Sequence, residues 1–278
     1  MVAALLDRAN GVVRLDDLND YDDPALKRAN LEPARGNPRF RLVEGAICDV
    51  ALVEDTHRRF GVTTTVHRAA RADVRPQIRE RRLYQEVNGT GMLNLLEAAH
   101  RSGAGTLIFG STPSVYGINS KVPFVGDDPI TCPVSPYAAS TRGAGLMAFT
   151  YHHRYGLQVT CLRFFTVYGP RRRPEMAIAL FAGLLAPGRR VPRYGDGSTA
   201  RDYTYVVDIV AGALAALDAA APFEIVNLGG SRTTTLARLI ELLATALGVE
   251  ALVEERPLQP GDVPITFADV RKAKRLWG

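Results

Sequence analysis

A threonine and a tyrosine, Thr112 and Tyr137, are the side chains in this sequence best suited to proton transfer. Thr112 lies in Gly110-Ser111-Thr112-Pro113-Ser114-Val115-Tyr116-Gly117, and Tyr137 follows 25 residues later in Pro136-Tyr137-Ala138-Ala139-Ser140-Thr141-Arg142. A phenol beside a hydroxyl can take a proton from a substrate hydroxyl and return it. A free tyrosine ionises near about 10, so a phenolate base at neutral pH needs a positive charge beside it. One helical turn beyond Tyr137 stands Thr141, which carries none. Arg142 lies about 140° around a helix of 3.6 residues per turn and cannot simply substitute. Taken alone, such a Tyr–Thr pair reads more readily as core packing; its surroundings reverse that preference.

Short β-branched or apolar runs alternate with longer helical patterns. Val12-Val13-Arg14-Leu15, Thr64-Thr65-Val66-His67, Thr106-Leu107-Ile108-Phe109 and Val159-Thr160-Cys161-Leu162 read as strands. Asn94 to His100 and Tyr137 to Tyr155 have helical spacing. Alternation of this kind predicts an α/β fold, a doubly wound parallel sheet with helices on both faces and its ligand beyond the carboxyl ends of the strands. Thr112 and Asp16 each fall just past such an end. After about residue 165, Tyr168-Gly169-Pro170, Pro174, Pro187-Gly188 and Pro192 punctuate a loop-rich stretch. The expected organisation is a Rossmann-like domain over residues 1–167, rejoined by a strand–helix unit at 201–219. Residues 168–200 and 220–278 are then a smaller substrate-binding lobe. Thr233 to Leu247 reads as an amphipathic helix capped by its threonines.

Composition narrows the partners. The net charge is +5, but the arginines are scattered and no nucleic-acid motif accompanies them, so a pocket for an anionic small molecule is the expected use of that charge. Three widely separated cysteines, Cys48, Cys132 and Cys161, lack metal spacing. No metal is expected, and reduced cytoplasmic thiols are. No apolar stretch approaches the roughly 18 residues of a membrane span, and no leader pattern is present.

These segments, in this order, resemble the extended short-chain dehydrogenase/reductase family, and within it the UDP-glucuronate 4-epimerases. The likeness includes Leu15-Asp16-Asp17-Leu18-Asn19-Asp20-Tyr21, Val122-Pro123-Phe124, Pro133-Val134-Ser135-Pro136-Tyr137 and Leu162 to Pro170. It continues through Arg201-Asp202-Tyr203-Thr204-Tyr205 and Gln259-Pro260-Gly261-Asp262-Val263. The resemblance implies NAD as cofactor, a UDP-sugar as substrate, a transient 4-keto sugar, and a homodimer formed through two helices of each subunit. It assigns Tyr137 as the base and Thr112 as its partner on the sugar hydroxyl. Ser114 and Thr166 would hold the sugar carboxylate, Arg173 the sugar end, and Arg201 the diphosphate; Asp262 falls in a further substrate-binding segment. Asp16 would bind the adenosine ribose, with Ile47 and Asp49 near the adenine and Ala69 and Ala70 beside the pyrophosphate. Asn88 would lie near the cofactor or else cap a helix. Related dehydratases carry an Asp-Glu pair where this chain has Pro113-Ser114, which favours simple epimerisation. Arg171 and Arg172 read as solvated loop charge.

Three departures accompany the resemblance. Thr141 stands where the family has lysine. Val2-Ala3-Ala4-Leu5-Leu6-Asp7-Arg8 resembles the end of the helix after the family's glycine-rich phosphate loop, so roughly 20 residues of that fingerprint are expected to be missing. The strand lost with them is normally central, and its absence is expected to leave two unpaired inner edges. The chain also stops, at Leu276-Trp277-Gly278, where relatives continue. A non-catalytic nucleotide-sugar-binding relative and a remnant are therefore the competing readings.

Overall fold

The computed structural model describes residues 1–72, 80–119, 121–258 and 263–278. Its first half alternates strand and helix: α1 (Val2–Asp7), β1 (Val12–Asp16), α2 (Pro24–Arg35), β2 (Phe40–Glu44), α3 (Val50–Phe60) and β3 (Thr64–His67). Next come α4 (Arg81–Gln85), a wide turn at Glu86–Thr90 that runs on into α5 (Gly91–Ser102), and β4 (Thr106–Ser111). A 3-10 turn at Pro113–Tyr116, α6 (Pro136–Tyr155) and β5 (Gln158–Phe164) complete this part. Beyond them lie β6 (Thr166–Tyr168), α7 (Ala177–Leu185), β7 (Val191–Tyr194), β8 (Ala200–Tyr205), α8 (Val206–Ala219) and β9 (Phe223–Leu228). The chain closes with β10 (Thr233–Thr235), α9 (Leu236–Leu247), β11 (Val253–Arg256) and α10 (Arg271–Trp277).

The parallel sheet expected from the alternation is present, in two pieces. Strands pair in the order β3-β4-β5-β9 in one piece and β1-β2 in the other, all parallel. No ladder joins β1 to β3 among the described residues, so each presents an unpaired edge. The period-2 alternation of the strands sends side chains to opposite faces. Leu107, Phe109, Val159 and Cys161 pack with Ala144, Ala148 and Tyr151 of α6 and with Met92, Leu96 and Ala99 of α5. Ile108, Leu162, Val226 and Leu228 face the other way, onto Ile209, Ala213 and Ala216 of α8.

The lobe boundary differs from the sequence expectation. Phe223–Leu228, assigned to the lobe, is β9 and pairs with β5 on the main sheet. The strand at 201–205, expected to rejoin that sheet, instead pairs with β6 and β10. Only α8 returns. Ala273 and Trp277 of α10 also pack on the α8 side of the main sheet. What remains of the lobe is α7 and α9 packed on each other and on β7, with β7 paired to β11. Thr235 caps α9 by accepting from the Arg238 N–H, while Thr233 and Thr234 lie in β10.

Asp202 ties these parts together. It is fully buried, and its carboxylate accepts N–H bonds from Gly230 (2.6 Å), Ser231 (3.1 Å) and Ala268 (3.1 Å).

Candidate functional site

Local rules place Tyr137. Ser135 is the N-cap of α6 and accepts from the Ala138 N–H at 3.1 Å, and Pro136 fills the first helical position, where its missing N–H costs nothing. Tyr137 therefore sits in the first turn of a 20-residue helix, fixed against the end of β4. Thr112 caps the 3-10 turn that follows β4, accepting from the Ser114 N–H at 3.2 Å while donating to Ser114 Oγ at 3.2 Å. The two side chains meet: the Tyr137 hydroxyl hydrogen-bonds with Thr112 and also with Thr141. Thr141 is buried, so the position where a cation was expected holds a neutral hydroxyl in contact with the Tyr137 hydroxyl.

Burial pushes the Tyr137 phenol above its ordinary value. The Thr112 hydroxyl, the Arg173 guanidinium and the Thr141 hydroxyl each pull the other way without overcoming it. Arg173 is thus the cation acting on this phenol among the described residues. It pairs with Glu175 at 2.9 Å, and its guanidinium lies 5.9 Å from the centre of the Tyr21 ring.

The other expected residues are spread over several elements. Asp16 ends β1; its carboxylate accepts from the Leu18 N–H at 3.0 Å and from Arg14 Nη2 at 2.6 Å. Ile47 is buried against Val53 and Leu95, and its carbonyl accepts from Asn94. Asp49 is the N-cap of α3, accepting from the Leu52 N–H. Ala69 and Ala70 are exposed just past β3. Asn88 caps no helix. Its amide donates to the Arg71 carbonyl and to Ser140 Oγ, both at 3.0 Å, and its carbonyl accepts from the Arg71 N–H at 2.8 Å. It ties the loop after β3 to the helix that carries Tyr137. Thr166 opens β6 opposite Tyr203, and Arg201 lies in β8 with Nη1 on the Ala200 carbonyl. Asp262 lies outside the described residues.

Arg172 departs from expectation. Its Nη1 and Nη2 are shut off from solvent and have no hydrogen-bond partner among the described residues. Burial, with Arg173 nearby, pulls its pKa down. The expectation of a solvated loop charge therefore fails: Arg171 is exposed with φ +62°, and Arg172 is turned inward. A run of three arginines carries no sign of which one is buried.

Comparison with known proteins places this geometry. Residues 1–229 match the NAD dependent epimerase/dehydratase family. The chain belongs to that family. It is 37% identical over 273 residues to a UDP-glucuronate 4-epimerase of Thermodesulfobacterium geofontis, covering 98% of this chain and 84% of that one. It is 38% identical over 294 residues to UDP-glucuronate 4-epimerase 4 of Arabidopsis thaliana, covering 99% and 67%. The UDP-glucuronic acid 4-epimerase of Bacillus cereus, solved with UDP-glucuronic acid and NAD, superposes with TM-score 0.93 at 29% identity, covering 99% and 88%. The dTDP-glucose 4,6-dehydratase of Streptomyces venezuelae, solved with NAD, superposes with TM-score 0.92 at 33% identity, covering 100% and 86%.

NAD is the cofactor of this family, and much of the site fits it. A carboxylate ends β1 at Asp16, and a tyrosine–threonine pair stands past β4. Among the described residues no glycine-rich turn lies between a strand and a helix at the β1–β3 edge to receive a pyrophosphate. Nor is any described helix long and apolar enough to cross a membrane.

Proposed function

We propose that this protein is an NAD-dependent UDP-sugar 4-epimerase interconverting UDP-glucuronate and UDP-galacturonate. The observation that carries the reading is the hydrogen-bonded Tyr137–Thr112 pair at the carboxyl end of β4 in a chain of this family. Tyr137, as phenolate, takes the proton of the sugar C4 hydroxyl while Thr112 holds that oxygen. Held by the cofactor side of the cleft, NAD would supply the hydride acceptor and donor for C4 of the sugar. Proton and hydride leave together and return together, so the reaction is balanced with no net oxidation.

Around that pair, Ser114 and Thr166 hold the sugar carboxylate, which opposes loss of CO₂ from the 4-keto acid. Arg173 serves the sugar end and supplies the positive charge nearest the base. Arg201 holds the diphosphate. Arg172 joins it: two shielded guanidinium nitrogens with no partner among the described residues suit an anionic oxygen of the substrate. Asp16, Ile47, Asp49, Ala69, Ala70 and Asn88 form the cofactor side of the cleft, with Asn88 acting by fixing the Arg71 backbone.

The working form is a homodimer built on α5 and α6, where Leu93, Met147 and Tyr155 are exposed large apolar side chains. A sedimentation mass of one chain would contradict that assembly. Three free cysteines suit a reducing cytoplasm. Incubation with NAD and UDP-glucuronate, followed by chromatography of the sugar nucleotides, tests the reaction. Faster turnover of UDP-glucose than of UDP-glucuronate would overturn the substrate assignment.

A second reading has its own observation. With the phenol raised by burial and Thr141 beside it, a nucleotide-sugar-binding protein that no longer moves the proton would show binding without turnover.

A further inference from the structure

Beneath α6, on the side of the main sheet away from α8, lies a cavity of about 170 Å³. Ser111, Cys161, Arg163, Phe223 and Ile225 form its floor from β4, β5 and β9, and α6 roofs it with Thr141, Arg142, Gly145, Leu146 and Phe149. The cause is local. Thr141, Ala144 and Ala148 are among the buried α6 residues, and Gly145 beside them has no side chain. A Cβ placed at Gly145 would meet nothing within 4 Å.

The charge in this cavity is one-sided. Arg163 is 4% exposed, and its Nη1 donates to two neutral oxygens, Tyr116 Oη and the Gly126 carbonyl, each at 2.8 Å. Among the described residues Arg142 makes no hydrogen bond or ion pair, and Arg163 makes no ion pair. No carboxylate lines the cavity, and Cys161, its thiol pushed up to about 12 by burial, stays neutral. A buried cation without an opposite charge, as Arg163 is, is costly, and the half-buried Arg142 adds a second positive charge near it. Much of the remaining lining is apolar: Val115, Leu146, Phe149, Phe223 and Ile225.

We propose that this cavity is a second ligand site, separate from the Tyr137–Thr112 cleft, for a small carboxylic acid with an apolar body. The carboxylate would sit between Arg142 and Arg163, whose planar guanidinium groups suit two-point recognition of it. The apolar body would lie against Phe149, Phe223 and Ile225. At about 30 Å³ per liquid water the cavity has room for a molecule of benzoate size. Thr141 lines this cavity and also touches the Tyr137 hydroxyl, so an occupant would be one side chain away from the proposed base.

Thermal unfolding and calorimetric titration of the purified chain with benzoate test this without any assay of activity. The expected result is a saturable rise in Tm with benzoate, absent with benzyl alcohol and weaker with inorganic phosphate. Arg142→Gln should weaken benzoate binding by about tenfold or more, the loss of one charge-assisted pair. Gly145→Glu should place a tethered carboxylate in the cavity, raising the Tm of the free protein and abolishing the benzoate response. If that variant fails to fold, Gly145→Leu fills the same space without charge and should abolish the response too. No saturable response in the native chain, a preference for phosphate, or a benzoate response that survives filling of position 145 would each overturn the proposal.

Discussion

At the scale of single residues the governing quantity is the protonation of Tyr137. Burial raises its pKa, so the phenolate is a minor form at neutral pH and the rate should climb steadily as pH rises past 7. Thr141→Lys would put an ammonium against the phenol and lower its pKa. The acid limb of the kcat–pH profile should then move to lower pH, with kcat at pH 7 gaining about tenfold for every pH unit the limb travels. An unmoved profile would mean that proton removal by Tyr137 does not limit the rate. Arg172 gives a different signature. Arg172→Leu removes an unpaired buried charge, so stability should hold or rise while KM for the UDP-sugar increases about tenfold or more. Unchanged KM and kcat together would place Arg172 outside the substrate site.

At the scale of elements, Asp202 shows what holds the lobe to the sheet. Asp202→Ala would leave the buried Ala268 N–H unsatisfied and free the partly exposed Gly230 and Ser231 N–H groups to water, so a loss of about 1–3 kcal/mol is expected in urea unfolding. A loss under about 1 kcal/mol would show the Ala268 N–H finding water too. The same scale shows what the sequence made legible. Ser135-Pro136-Tyr137 announces a helix start and sets the position of the base. Thr64–His67 reads as a strand with the ends it has in the structure, and Thr106–Phe109 falls short of β4 only at its polar end, Gly110-Ser111. Periodicity and capping are local, and these features follow from them. The pairing of Phe223–Leu228 with β5 does not, because a strand's partner is chosen by tertiary packing rather than by its own residues. The inward turn of Arg172, the Thr141–Tyr137 contact and the cavity over Arg163 were illegible for the same reason. Each depends on what lies across from the residue in space.

At the scale of the whole molecule, stability should depend on pH through His67. This histidine ends β3, is 4% exposed, stacks on Phe109 and has its pKa lowered by burial from 6.5 to about 4. The folded protein therefore binds fewer protons there than the unfolded chain. Its stabilising contribution is complete above about pH 6.5 and is lost as pH falls toward 4, about 3 kcal/mol in all. His67→Leu should flatten that part of the stability–pH curve in urea titrations between pH 7 and 4. An unchanged slope would mean that other groups set the acid limit.

The central claim, proton and hydride exchange at C4 through Tyr137, has one direct measurement. Purified protein and its Tyr137→Phe variant are incubated with NAD and UDP-glucuronate, and UDP-galacturonate is quantified by anion-exchange chromatography. Product is expected from the native chain, increasing with pH, and none above background from the variant. Equal product from both would remove Tyr137 from the reaction. No product from the native chain, with UDP-glucuronate still bound, would make this a nucleotide-sugar-binding member of its family.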